Sequence, residues 1–125
     1  MAKNEYQKRI WTVYRISDCT KSADLMQRKF CQNFVDAKED WRLTNEIKQD
    51  VSEYSHPIEL SMDFILKAAR SKEVDIILCF SYRFLCRRTH ELAYFANMLD
   101  LYDVEIWSVS EGKYTSFLHN HVDFI

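Results

Sequence analysis

Glycine and proline are almost missing from this sequence, with one of each, Gly112 and Pro57, in 125 residues. A single glycine leaves no room for the glycine-rich turns that wrap nucleotide phosphates, neither a P-loop nor a G-x-G-x-x-G turn. Turns have to be built mostly from Asn, Asp, Ser and Glu. No apolar run approaches the roughly 20 residues of a membrane-spanning helix, and the polar N-terminus lacks the apolar segment of a signal peptide. A cytoplasmic protein with no membrane partner is expected. The four cysteines, Cys19, Cys31, Cys79 and Cys86, form no C-x-x-C pair and none has the C-x5-R spacing of a phosphatase loop. Free thiols in a reducing compartment are the reading that follows. Positive charge is not in excess either: 17 Lys and Arg against 19 Asp and Glu give a formal net charge of −2. Any contact with nucleic acid must then come from a local patch.

What is present suits one ordinary folded domain, since 47% of residues are hydrophobic and 29% charged, and the length suffices to bury a core without metals or disulfides. Ile10-Trp11-Thr12-Val13-Tyr14-Arg15-Ile16 is β-branched and aromatic and runs into Ser17-Asp18-Cys19-Thr20, a first strand feeding a loop. From the N-cap candidate Ser22, the four-residue spacing of Met26, Phe30 and Phe34 predicts an amphipathic helix to about Ala37. Residues 41–47 read as a second, more polar strand. Pro57 in a first helical turn, with Leu60, Phe64 and Ala68, predicts a helix over 58–71. Val74-Asp75-Ile76-Ile77-Leu78-Cys79-Phe80 is apolar enough for the central strand of a sheet buried on both faces. A helix over 86–101 carries Leu92, Phe95 and Leu99 on one stripe, and residues 104–109 form the last strand. This alternation predicts a three-layer α/β fold, a mainly parallel sheet of about four strands with right-handed crossovers and flanking helices.

In such sheets ligands bind outside the carboxyl ends of the strands. Ser17 follows the first strand and residues 81–88 follow the central one, so a hydroxyl and the arginines Arg15, Arg83, Arg87 and Arg88 are expected at one edge. Arginine keeps its charge and presents a fork of donors matched to phosphate oxygens. Several around one serine suit a phosphodiester and its transition state. The plainer reading is that the serine is a loop residue and the arginines a solvated face. His90, His119, His121 and Asp123 lack a metal-ligand spacing, and no metal, cofactor or small-molecule ligand is expected.

Tyr14-Arg15-Ile16-Ser17 resembles the Y-x-R-x-S signature of the serine site-specific recombinases, the family of resolvases, invertases and transposon integrases. Gln27, ten residues on, matches the glutamine these enzymes carry on their first helix near the active site. Asp50-Val51-Ser52-Glu53-Tyr54-Ser55 is similar to their D-x-x-S-G loop, and the stretch from Ile65-Leu66-Lys67-Ala68-Ala69-Arg70 to Asp75-Ile76-Ile77 follows their pattern. Tyr82-Arg83-Phe84-Leu85-Cys86-Arg87-Arg88 resembles their D-R-[LF]-x-R motif with one residue inserted. Residues 104–112 and, more loosely, Asn120-His121-Val122-Asp123 are most like transposon-type members. The resemblance runs from Val13 nearly to the C-terminus.

It implies a resolvase-like catalytic domain acting in DNA recombination or integration. Ser17 would attack a DNA phosphodiester in line, without metal, leaving a phosphoserine link at the 5′ end and a free 3′ hydroxyl. Arg15, Arg83 and Arg87 would hold the phosphate, Gln27 would assist positioning, and Arg88 would bind substrate. The family's chains continue into a long dimerisation helix and a DNA-binding region. Residues 1–125 are expected to be one catalytic domain lacking both, with DNA as partner and a homodimer or tetramer only in a full-length context. Three positions depart from the pattern. Tyr82 stands where the family has an aspartate, and Glu59 where it has an active-site arginine. Tyr54 stands at the loop glycine. The rivals to an active recombinase are an inactive relative that binds DNA or protein and, less well matched, a receiver-like α/β domain, which would want acidic residues at the strand ends.

Overall fold

A computed structural model describes residues 7–16, 21–50, 57–86 and 88–115. In chain order they form β1 (Lys8–Ile16), α1 (Lys21–Asp36), β2 (Trp41–Asp50), α2 (Pro57–Arg70), β3 (Ile76–Cys79), α3 (Tyr82–Leu85), α4 (Thr89–Asp100), β4 (Glu105–Ser108) and β5 (Gly112–Lys113). The strands make one five-stranded sheet in the order β2-β1-β3-β4-β5. All neighbours are parallel except β4 and β5. The α/β architecture is the one expected, with one strand more than the pattern of apolar runs revealed.

The sheet carries helices on both faces because the chain reverses direction across it. The crossover from β1 to β2 moves one way and the crossover from β2 to β3 moves back past β1, so right-handed connections put α1 and α2 on opposite faces. The path from β3 to β4 continues in the second direction and puts α4 beside α2. Two cores follow from strand alternation. Trp11 and Val13 of β1 pack with Ile65, Ala69, Phe95 and Leu99 under α2 and α4. Ile10 and Tyr14 pack with Cys31, Val35 and Trp41 under α1. β3, buried at all four positions, is the central strand as expected.

Several predicted elements shift. In α1 the buried stripe is Gln27, Cys31 and Val35, one residue beyond the expected one; Met26 and Phe30 are 41% and 44% exposed and Phe34 is half-buried. The four-residue spacing of Met26, Phe30 and Phe34 lies one residue before the true stripe, and the polar Gln27 hid the true one. In α2 the buried residues are Ile65, Leu66, Ala68 and Ala69, while Phe64 is exposed and stacks on Trp11 at 5.6 Å. β2 runs to Asp50 and is polar because it is an edge strand. The helix expected over 86–101 is α4 and starts later, at Thr89; a separate four-residue helix, α3, precedes it, and Cys86 and Arg88 between the two are extended. In α4 itself Leu92, Phe95 and Leu99 are buried as expected.

At the far side of α1, Phe34, Trp41 and Trp107 surround the Lys38 ammonium, which lies 5.2–5.4 Å from each ring centroid. The two indoles meet edge-on at 5.0 Å. This cluster ties the end of α1 to strands that are not neighbours in the sheet.

Candidate functional site

Strand order reverses between β1 and β3, and in open α/β sheets the crevice outside the carboxyl ends at such a point is where ligands bind. Four expected site residues stand on the elements that meet there. Arg15 is the penultimate residue of β1 and is half-buried; strand alternation sets it on the Trp11 and Val13 face, the one covered by α2 and α3. Gln27 reaches this edge from α1. Arg83 is exposed on α3, directly after β3, and Arg88 is exposed between α3 and α4. Ser17 and Arg87 lie outside the described residues.

Gln27 has a specific task at the end of β1. β3 pairs with β1 only as far as Val13 opposite Cys79, so the backbone of Arg15 has passed the end of its neighbour. The Gln27 side chain takes the neighbour's place: its Oε1 accepts the Arg15 N–H at 2.9 Å and its Nε2 donates to the Arg15 carbonyl at 2.7 Å. A primary amide presents one acceptor and one donor side by side, as a strand residue does. Gln27 is 2% exposed, and leaving either peptide group unpaired at this depth would be costly. The peptide of Arg15, two residues before Ser17, is thereby fixed. Glutamine's place on the family pattern pointed to this residue; its bond to the Arg15 backbone was not legible from spacing.

Behind the signature tyrosine, the Tyr14 hydroxyl donates to Glu46 Oε2 at 3.0 Å, and Arg28 of α1 donates to Glu46 Oε1 at 3.4 Å. Burial, with the Glu46 carboxylate beside it, pushes the Tyr14 phenol far above its usual range, so it stays a neutral donor. β1, β2 and α1 are joined through this one carboxylate.

The turn after β3 is arranged differently from the sequence expectation. Arg83 stands on a single helical turn: α3 ends at Leu85 and Cys86 is extended. The Tyr82 ring turns away from the crevice and packs edge-on against Tyr114 at 5.4 Å. Its hydroxyl donates to the carbonyls of Gly112 and Ile106. Burial raises its pKa well beyond the ordinary phenol value. The carboxylate at the start of α3 comes instead from Glu111: it accepts the Tyr82 N–H at 3.2 Å, Ser81 Oγ at 3.3 Å and Ser108 Oγ at 2.5 Å. Nothing in the sequence near Tyr82 announced a partner 29 residues away.

Arg88 Nε stands 4.0 Å from Glu91 Oε1, a loose exposed contact. Arg83 has no hydrogen-bond or ion-pair partner among the described residues. Arg70, at the other end of α2, bonds the Tyr102 hydroxyl at 3.2 Å and lies over its ring, so it is engaged away from this edge. Glu59 is within α2; its side chain, like His119, His121 and Asp123, lies outside what is described. Among the described residues no group of His, Cys, Asp or Glu is arranged to hold a metal ion, and no helix is long and apolar enough to cross a membrane. Cys31, Cys79 and Cys86 are buried free thiols. Burial pushes Cys31 and Cys86 up to about 12 and Cys79 well above the ordinary thiol value, so none is a ready nucleophile.

No protein-family model and no curated protein matches the sequence. Solved structures do match the fold. The N-terminal catalytic domain of TP901-1 integrase superposes with a TM-score of 0.72 at 14% identity, covering 92% of this chain and 88% of that one. A resolvase family site-specific recombinase from Streptococcus pneumoniae gives 0.74 at 14% identity, over 93% and 83%. The C-terminal catalytic domain of ISC1926 TnpA, an IS607-like serine recombinase, gives 0.66 at 16% identity, over 93% and 77%. At these identities the likeness is one of fold, and it spans nearly the whole chain: the protein folds as the catalytic domains of serine recombinases do.

Proposed function

We propose that this domain performs serine-recombinase chemistry on DNA. Ser17 Oγ attacks a backbone phosphorus in line; the new Oγ–P bond forms as the P–O3′ bond breaks, and the 3′ oxygen leaves with a proton. The product is a phosphoserine at the 5′ end, which the 3′ hydroxyl of an exchanged strand reverses. Arg15, Arg83 and Arg87 neutralise the equatorial oxygens, where guanidinium forks act most strongly on developing charge. Arg88 contacts the flanking backbone, and Gln27 acts through the peptide of Arg15. Carrying this reading is one observation: the buried Gln27 amide pins the Arg15 peptide at the β1/β3 switch point, beside the turn that exposes Arg83.

A second reading has its own support. Tyr82 points into the β4–β5 turn, so the position where the resemblance expects a carboxylate gives none to the crevice, and Glu59 replaces an expected arginine. The fold would then serve as a DNA- or protein-binding module without turnover. Nicked or suicide DNA substrates separate the two. The protein should give a denaturant-resistant protein–DNA adduct that is lost in Ser17→Ala, and Glu59→Arg should raise its yield severalfold. DNA binding with no adduct in either background would leave the binding module as the function.

A further inference from the structure

We infer that Glu111 is a positioning residue for Arg83. The inference rests on the reading of Arg83 as a phosphate ligand. β3 ends at Cys79, yet its course is held for three residues more by the turn after β4. Val109 N–H donates to the Cys79 carbonyl at 2.9 Å and Ser110 N–H to the Phe80 carbonyl at 3.0 Å. Glu111 completes the series with its side chain, accepting from Ser81 Oγ and from the Tyr82 amide. The carboxylate is itself held: Ser108 Oγ, fully buried, donates to Oε1 at 2.5 Å and accepts the Glu111 N–H at 2.8 Å.

The consequence falls on Arg83. α3 is a single turn of four residues with no side-chain cap from Ser81, too short to hold its own direction. Its first residue is fastened at two points, the amide to Glu111 and the hydroxyl to the Gly112 carbonyl. Arg83 is the next residue, exposed and without a partner of its own among the described residues. The direction in which its guanidinium leaves the protein is therefore set by the β4–β5 turn, through Glu111. Gly112 contributes by adopting φ +87°, a conformation that favours glycine, which puts its carbonyl at the Tyr82 hydroxyl.

Two measurements test this. In Glu111→Ala, amide hydrogen exchange at Tyr82, Phe84 and Cys86 should speed up at least tenfold while β1 and β3 are unchanged. Glu111→Gln, which keeps one oxygen acceptor at this exposed position, guards against a general loss of fold and should fall between. The second measurement is affinity for a fluorescent 20-base-pair duplex. Arg83→Ala should weaken it about tenfold and Glu111→Ala severalfold, with the double variant no weaker than Arg83→Ala alone, because Glu111 acts through Arg83. Additive losses, or exchange unaltered in Glu111→Ala, would overturn the inference. Binding indifferent to Arg83→Ala, with exchange accelerated in Glu111→Ala, would overturn the phosphate-ligand role and leave the fastening of the turn standing.

Discussion

Gln27 shows how much one side chain decides at this edge. Its amide is worth two hydrogen bonds to a backbone that has run past its neighbouring strand. Gln27→Leu keeps the volume and removes both partners, so the Arg15 N–H and carbonyl are left under-satisfied in a half-buried place. We expect a loss of about 2 kcal/mol in urea unfolding, together with loss of adduct formation, because the peptide that leads to Ser17 is no longer fixed. At the opposite edge of the sheet Asp75 plays a similar local part for Arg9, accepting its N–H at 2.7 Å and its guanidinium at 3.1 and 3.4 Å. Burial alone would raise the Asp75 pKa, but the Arg9 hydrogen bonds and charge, helped by Lys8, lower it on balance. A carboxyl depressed in the folded state adds stability that is fully present above its unfolded pKa of about 3.9 and is lost as pH falls through the folded value. Asp75→Asn should therefore be less stable than the parent at pH 7, by a margin that shrinks as pH falls through the folded Asp75 pKa, which lies below the usual carboxylate value. A margin unchanged through that fall would show that the Asp75 charge is not what matters.

Among the elements, the sequence was most legible where burial is two-sided. β1 and β3 announce themselves through unbroken apolar or β-branched runs, and Leu92, Phe95 and Leu99 mark α4 without ambiguity. Legibility fails where a polar residue does a buried job or an apolar one stands in solvent. In α1 the true stripe is built on Gln27, while Met26 and Phe30 lie outside it; Phe30 leans on Phe80 at 5.6 Å and stays 44% exposed. The break between α3 and α4 depends on the anchoring of Tyr82 to residues after β4, a long-range contact that local propensity does not contain. The site divides in the same way. Arg15 and Gln27 were readable from their spacing in a motif, and Glu111 was not, because its partners are distant in sequence. A direct check of the α1 register follows. Met26→Gln should change stability by less than about 0.5 kcal/mol, and Val35→Ala, 3% exposed, should cost on the order of 2 kcal/mol. The reverse ranking would put the helix one residue out of register.

For the molecule as a whole, charge decides how DNA can be met. The net charge is −2, so the long-range field does not draw the chain to a polyanion, and attraction has to be local: Arg15 stands near the end of β1 and Arg83 and Arg88 follow β3, and the proposed site adds Arg87. Each phosphate neutralised releases counterion and contributes about −0.9 to the slope of log affinity against log salt concentration. If each arginine of the proposed site holds one phosphate, that slope is about −3 to −4, less steep than a long basic surface would give. Arg83→Ala should reduce its magnitude by about 1, whereas Lys67→Ala, an exposed change on α2, should leave it as it is. The slope reads the number of phosphates held and not the chemistry done on them, so it applies whether or not Ser17 cuts. An affinity indifferent to salt would mean that the arginine edge is not the DNA contact, and a slope unchanged by Arg83→Ala would move that contact away from the turn after β3.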